Sequence, residues 1–244
     1  MRASVVYLDE RLAVINKPPG LSLATPHSDP DAAVRRLIES LPGEEFASLD
    51  VSPLRLVHRL DAGTTGLVLV ARDEQMHREL SQLLSRRLIE KTYLAVVWGH
   101  PRPRMSRYEW PITADRRDRR RMKTEASGQE AVTEYRVLAT AAHVALVELH
   151  PRTGRTHQLR VHLSRAGHWI VGDDLYGGAR HRGVKQHPLQ DLLNPPHLLL
   201  HAWRLELPDS STMSVRKFEA PLPDYFQQVL DGLGIKKALQ ISSF

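Results

Sequence analysis

The sequence predicts an α+β fold: a mixed, mainly antiparallel β-sheet with helices packed over it. Strand-length apolar runs and amphipathic helical stretches alternate irregularly along the chain, several successive strands are close enough to form hairpins, and no segment repeats. The 244 residues are enough for one large domain or two lobes sharing a cleft, and 41% hydrophobic with 25% charged residues is ordinary for a folded protein.

Taken in order, SVVYL (4–8) and LAVINK (12–17) read as two strands around a short turn, stopped by Pro18-Pro19-Gly20. Asp29 is placed to cap a helix with Pro30 at its first position. Val34, Leu37, Ile38 and Leu41 follow at helical spacing, and Pro42-Gly43 ends it. Residues 43–55 carry no periodic signal. LVLVA (67–71) is a strand. Asp73 caps a helix with a stripe of Met76, Leu80, Leu83 and Leu84, and Arg86 and Arg87 sit near its negative end. KTYLAVVWG (91–99) is a strand, TEYRVLAT (133–140) and HVALVELH (143–150) form a hairpin, and a helix over about Thr156–Ala166 stops at Gly167. Strands at 198–207 and 212–219 and a helix over Pro223–Leu233 close the chain.

Composition narrows the chemistry. The chain has no cysteine, which removes disulfides, thiolate nucleophiles, zinc-thiolate sites and iron–sulfur clusters. The start meets Asp9 and Glu10 after a very short apolar run and reads neither as a secretory signal nor as a membrane span, so a cytoplasmic protein with no membrane partner is expected. The net charge of +6 is concentrated in residues 101–123, where eight arginines and Lys123 face Glu109, Asp115 and Asp118; the rest of the chain sums to zero. A solvated surface loop and a phosphate-gripping arm, with Tyr108 and Trp110 able to stack on bases, both fit that charge.

Several standard sites are excluded. No phosphate-binding loop, dinucleotide fingerprint or nucleophile elbow is present. Thirteen histidines occur without an H-E-x-x-H motif, and His157 and His162 fall roughly 140° apart on a helix, so no metal is expected. What remains is HRLDAGTTGL (58–67), which sets Asp61 beside His58 and Arg59 and before a glycine-threonine turn. An Asp there can be a simple turn former. Read functionally, two cations keep the acid ionised for attack or proton removal, and the glycines allow close approach of a ligand. A second stretch, PRTGRTHQLRVHLSRAGH (151–168), holds Arg152, Arg155, Arg160 and Arg165 with no acid among them. These arginines face solvent, a distant carboxylate or an anion; Gly154-Arg155 at a helix entry favours phosphate.

NKPPGL (16–21), HRLDAGTTGLVLVA (58–71), KTYLAVVWG (91–99), GRTHQLRVHL (154–163), IVGDDLYG (170–177) and LLHA (199–202) together resemble, in order and approximate spacing, the RluA-type pseudouridine synthases. The likeness spans about residues 5–220. It implies a single catalytic domain over residues 1–244, of two lobes with the active cleft between them, carrying the basic arm 101–123. It implies an isomerase that detaches uracil from ribose and rejoins it through carbon, on tRNA or ribosomal RNA, as a monomer and without a cofactor. By the family pattern Asp61 is the catalytic carboxylate, Tyr93 lies against the target base, Arg160 pairs with Asp61, and Arg59 fills the stack when the nucleotide is extruded. His58, Arg155, Arg116, Arg117, Arg119, Arg120 and Arg121 are the expected RNA contacts.

The route of Asp61, through C1′, C6 or a sugar proton, stays open. Thr65 stands where the family usually has serine and keeps the hydroxyl. Motifs that begin almost at residue 5 lead us to expect no N-terminal S4-type domain, which puts RNA affinity on the catalytic domain and its arm. The alternative in another class is an RNA-binding or RNA-folding factor that keeps the fold without the reaction. It would be marked by loss of Asp61, Tyr93 or Arg160, and all three are present.

Overall fold

Every residue of LVLVA is fully buried, and so are the two threonine-glycine positions before it, which makes Thr65–Ala71 (β4) a two-sided core strand. A strand covered on both faces reads as a continuous apolar run rather than an alternation. Each buried leucine or valine contributes about 1.5–3 kcal/mol. The computed structural model describes residues 2–24, 29, 31–43, 50–209 and 214–241. The chain divides into two compact units, residues 1–91 with 202–221, and residues 92–201 with 222–244.

In the first unit, Ser4–Leu8 (β1) pairs antiparallel with Leu12–Lys17 (β2), and β2 pairs antiparallel with β4 from Leu12↔Ala71 to Lys17↔Gly66. The two-residue strand Arg55–Leu56 (β3) adds to β4. Leu200–Asp209 (β11), most of which belongs to this unit, follows β4 in the sheet, and Ser214–Glu219 (β12) pairs antiparallel with it. Ala32–Glu39 (α1) buries Val34, Leu37 and Ile38. Its N-cap is Asp31, not Asp29, whose carbonyl instead accepts from Ala32 N–H; Pro30 lies outside the described residues. Glu74–Ser85 (α2) is capped as expected, Asp73 Oδ1 accepting from Met76 N–H at 2.7 Å. Its Leu80 joins Leu12, Val14, Leu67, Leu69, Leu205 and Phe218 in the core.

In the second unit, Glu90–Trp98 (β5), which enters it at Thr92, pairs antiparallel with Val144–Pro151 (β10), and β10 with Thr133–Ala141 (β9). Met105–Tyr108 (β6) pairs with β9 at the edge. The basic segment is therefore built structure. After β6 it continues into a hairpin, Ile112–Ala114 (β7) against Met122–Thr124 (β8), with residues 115–121 at its tip. Gln158–Arg165 (α3) starts two residues later than the periodicity suggests, because His157 takes left-handed φ 54° at the N-cap position. Short helices His187–Leu192 (α4), Asp224–Gly232 (α5) and Ala238–Ile241 (α6) complete this unit, α5 burying Tyr225, Phe226, Val229 and Leu230.

Candidate active site

The turn that carries Asp61 is clamped from below. Leu60 and Thr64 on either side are buried, Asp61 is half-buried, and Thr64 N–H closes the turn on the Asp61 carbonyl at 3.1 Å. Ala62, the next residue, receives two donors on its carbonyl: Gly20 N–H at 2.8 Å and the Lys17 ammonium at 3.1 Å. Lys17 Nζ also donates to Pro18 O at 2.8 Å and Leu21 O at 3.1 Å, so its three protons meet three carbonyls. Lys17 is wholly buried, and burial pushes its pKa down to about 7 against the opposing pull of the Asp61 charge. PPG is thus a strand breaker whose backbone, through Lys17, ties β2 to the turn that carries Asp61.

Gly66 explains the other end of the turn. Its φ of +108° is left-handed, and a Cβ there would lie 2.2 Å from the Ala202 carbonyl oxygen. Only glycine permits β4 and β11 to approach so closely. The neighbouring motif LLHA supplies that alanine.

His58 differs from expectation. It is not a cation beside Asp61: its Nε2 accepts Leu69 N–H at 3.2 Å, and burial together with Lys91 lowers its pKa to about 3. A neutral imidazole can accept there and an imidazolium cannot. Arg59 is exposed. The cation whose interaction with Asp61 is resolved in this unit is Lys17, which sequence reasoning missed. The available signal was a lysine ending a strand whose other residues are nearly all apolar.

In the second unit Tyr93 sits half-buried near the start of β5, opposite Leu149 of β10. Arg160 lies in the first turn of α3, and its guanidinium grips Asp173 bidentately, Nε to Oδ2 and Nη2 to Oδ1, both at 2.8 Å. The side chains are 11% and 1% exposed. Asp173 Oδ1 further accepts from Leu175 and Tyr176 N–H. GDDLYG supplies the carboxylate that orients Arg160 within this unit. Gln158 fixes the entry to α3, accepting from Arg155 N–H and Thr153 Oγ1 and donating to Val132 O.

The arginines of 151–168 do find partners, and those are distant in sequence: Arg152 pairs with Glu134 at 2.9 Å, Arg155 Nε donates to Glu130 O, and Arg165 lies 5.2 Å over Trp110. Gly154-Arg155 does not open the helix directly, since His157 intervenes.

Along the basic arm, Arg116, Arg117, Arg119 and Arg120 are exposed at the hairpin tip, with Arg120 paired to Asp118 at 2.8 Å. Arg121 turns inward over the Tyr176 ring, 5.0 Å from its centroid. Tyr108 cannot serve as a stacking platform for bases: it is 8% exposed and already stacked on Tyr135 and Trp110, each at 4.9 Å. Burial beside Tyr135 raises its hydroxyl pKa, which keeps it protonated.

Comparison with known proteins places the chain in a family. Residues 11–165 match the family model described as RNA pseudouridylate synthase. The chain belongs to that family. It is 35% identical to the dual-specificity RNA pseudouridine synthase RluA of Escherichia coli K12 over 222 residues, 89% of this chain and 92% of that one. It is 32% identical to an uncharacterized RNA pseudouridine synthase of Chlorobaculum parvum, over 93% of this chain and 73% of the other. Among solved structures, human RNA pseudouridylate synthase domain containing 4 superposes with a TM-score of 0.72 at 30% identity, covering 94% and 92% of the two chains. This synthase is accordingly an isomerase that converts uridine in RNA to pseudouridine, on an α+β pseudouridine synthase fold. Among the described residues no helix is long and apolar enough to cross a membrane.

Proposed function

We propose that this synthase acts on specific uridines in structured RNA, tRNA or ribosomal RNA, with Asp61 as its catalytic carboxylate. Uridine and pseudouridine are isomers, so the reaction breaks the bond from C1′ to N1, forms one from C1′ to C5, and exchanges a C5 proton for one on N1. A stacked uridine hides these atoms, and the base has to be extruded first. Arg59, exposed two residues before Asp61, takes the vacated place in the stack. Asp61 acts on the extruded nucleotide, Tyr93 supplies a flat wall with a polar end for the uracil, and Arg160, aligned by Asp173, orients the carboxylate.

The observation that carries this reading is the mounting of Asp61. A half-buried acid is held on a turn whose backbone is fixed by a wholly buried lysine and whose exit requires glycine. A turn that merely reversed the chain would need neither. Asp61→Asn tests it: pseudouridine formation in total tRNA and ribosomal RNA should vanish while RNA affinity stays within about twofold, since one near-isosteric change leaves the phosphate contacts in place. Turnover retained by that variant would remove Asp61 from the mechanism.

A further inference from the structure

Arg121 differs from every other arginine of the basic segment. Arg104 donates to the Val137 carbonyl, Arg107 pairs with Glu109 and Arg120 with Asp118, while Arg102, Arg116, Arg117 and Arg119 are exposed to water. Arg121 is half-buried, and its guanidinium makes no hydrogen bond or ion pair among the described residues. Its Nε is the one buried side-chain nitrogen or oxygen, among those residues, that lacks a partner. Asp118, on its own hairpin, feels the Arg121 charge through space but gives both oxygens to hydrogen bonds from Arg120. An unsatisfied buried donor costs about 1–3 kcal/mol, so a group left in this state calls for a partner from outside the protein, such as a water, an ion or a ligand.

The platform beneath it is fixed. Tyr176 carries Arg121 and Arg160 over its ring, each 5.0 Å from the centroid. Its hydroxyl accepts Met122 N–H at 2.8 Å and contacts His157 Nδ1 at 2.9 Å. Arg160 is neutralised by Asp173, and Arg121 is not. Two guanidinium groups therefore share one ring with a single carboxylate paired to them; Asp118 acts on Arg121 only through space, while it is paired with Arg120, so positive charge is in excess beside the expected catalytic arginine. A planar cation stacked in this way has little rotamer freedom left to lose on binding.

We propose that Arg121 is a preorganised RNA phosphate-binding residue, holding a backbone phosphate near the nucleotide on which Arg160 acts, while the exposed tip arginines supply only general attraction. This rests on the reading of the protein as an enzyme of structured RNA. A phosphodiester oxygen at the terminal nitrogens of Arg121 supplies the missing negative charge, and the Tyr176 stack sets where along the strand that phosphate lies.

The test is a salt titration of affinity for one RNA substrate that the wild-type enzyme modifies, with pseudouridine formation measured in parallel. Arg121→Gln should weaken binding about fivefold to tenfold near physiological salt and reduce the slope of log K against log[salt] by roughly 0.7–0.9, the signature of one lost phosphate contact. Arg121→Lys, which keeps the charge and loses the planar stack, should keep the slope and lose only part of the affinity. Tyr176→Leu should likewise weaken binding without changing the slope. Unchanged affinity and slope in Arg121→Gln would overturn the assignment. Should that variant not fold, wild-type affinity in both Arg121→Lys and Tyr176→Leu would overturn it equally. A wild-type enzyme that modified none of the RNAs offered would instead remove the functional reading on which the assignment rests.

Discussion

Asp173→Asn isolates the device that holds Arg160. The two guanidinium–carboxylate bonds are each 2.8 Å long, and the partners are 11% and 1% exposed, so solvent screens them little. Breaking a buried pair by removing one charge costs about 3–5 kcal/mol. The asparagine carbonyl can still accept the N–H groups of Leu175 and Tyr176, which places the expected loss at the lower end, about 3 kcal/mol, or roughly 6–12 °C in Tm for a chain of this size. Urea titration followed by tryptophan fluorescence measures it. The same substitution in an Arg160→Gln background should cost only about 1 kcal/mol, because the charge it would have stranded is already gone. Equal losses in the two backgrounds would refute the reasoning, as would a loss under about 1 kcal/mol in the first.

Lys17 makes stability depend on pH. Its folded pKa of about 7 lies below its ordinary 10.5, so between those values the unfolded chain holds a proton that the folded one lacks. Stability then rises with pH across that window by up to about 1.4 kcal/mol per unit and is lost as pH falls towards 7. Lys17→Met should abolish that part of the slope, read as urea midpoints at pH 7, 8 and 9; parallel slopes for the two proteins would contradict it. Gly66→Ala should cost at least about 3 kcal/mol, since the new Cβ meets backbone rather than a side chain that can move, and a Tm within 2 °C of wild type would show that β4 and β11 can separate cheaply. Replacing Arg116, Arg117, Arg119 and Arg120 together should flatten the salt dependence of RNA binding without affecting thermal stability, because these side chains are exposed; an unchanged slope would return the hairpin tip to a solvated surface.

Where a residue's role depends on its own chain neighbours, the sequence discloses it. The continuous apolar run of β4, the cap at Asp73, the β9–β10 hairpin and the stop at Gly167 are all local, and each reads correctly to within a few residues. Roles set by a partner far along the chain do not read. Arg152 and Arg160 look unpaired because their acids lie 18 residues before and 13 residues after them, on β9 and in the GDDLYG turn. Histidine beside arginine suggests a second cation, yet the strand opposite presents the Leu69 N–H, and a neutral ring satisfies it better than a charged one.

Tyr108 fails for a related reason. Neighbouring arginines make it look like an RNA contact, but whether a strand residue points in or out is a matter of parity, and parity is set by register with β9. That register turns Tyr108 inward onto Tyr135, and the exposed arginines around it conceal the fact. Lys17 is the converse case. A lysine at the end of an apolar strand is ordinarily read as the point where the chain returns to water, and only three carbonyls brought together by the PPG turn and by Ala62 make its burial tolerable. The stretch around Asp61 is therefore readable as a motif, whereas the charges that hold it in place are properties of the fold.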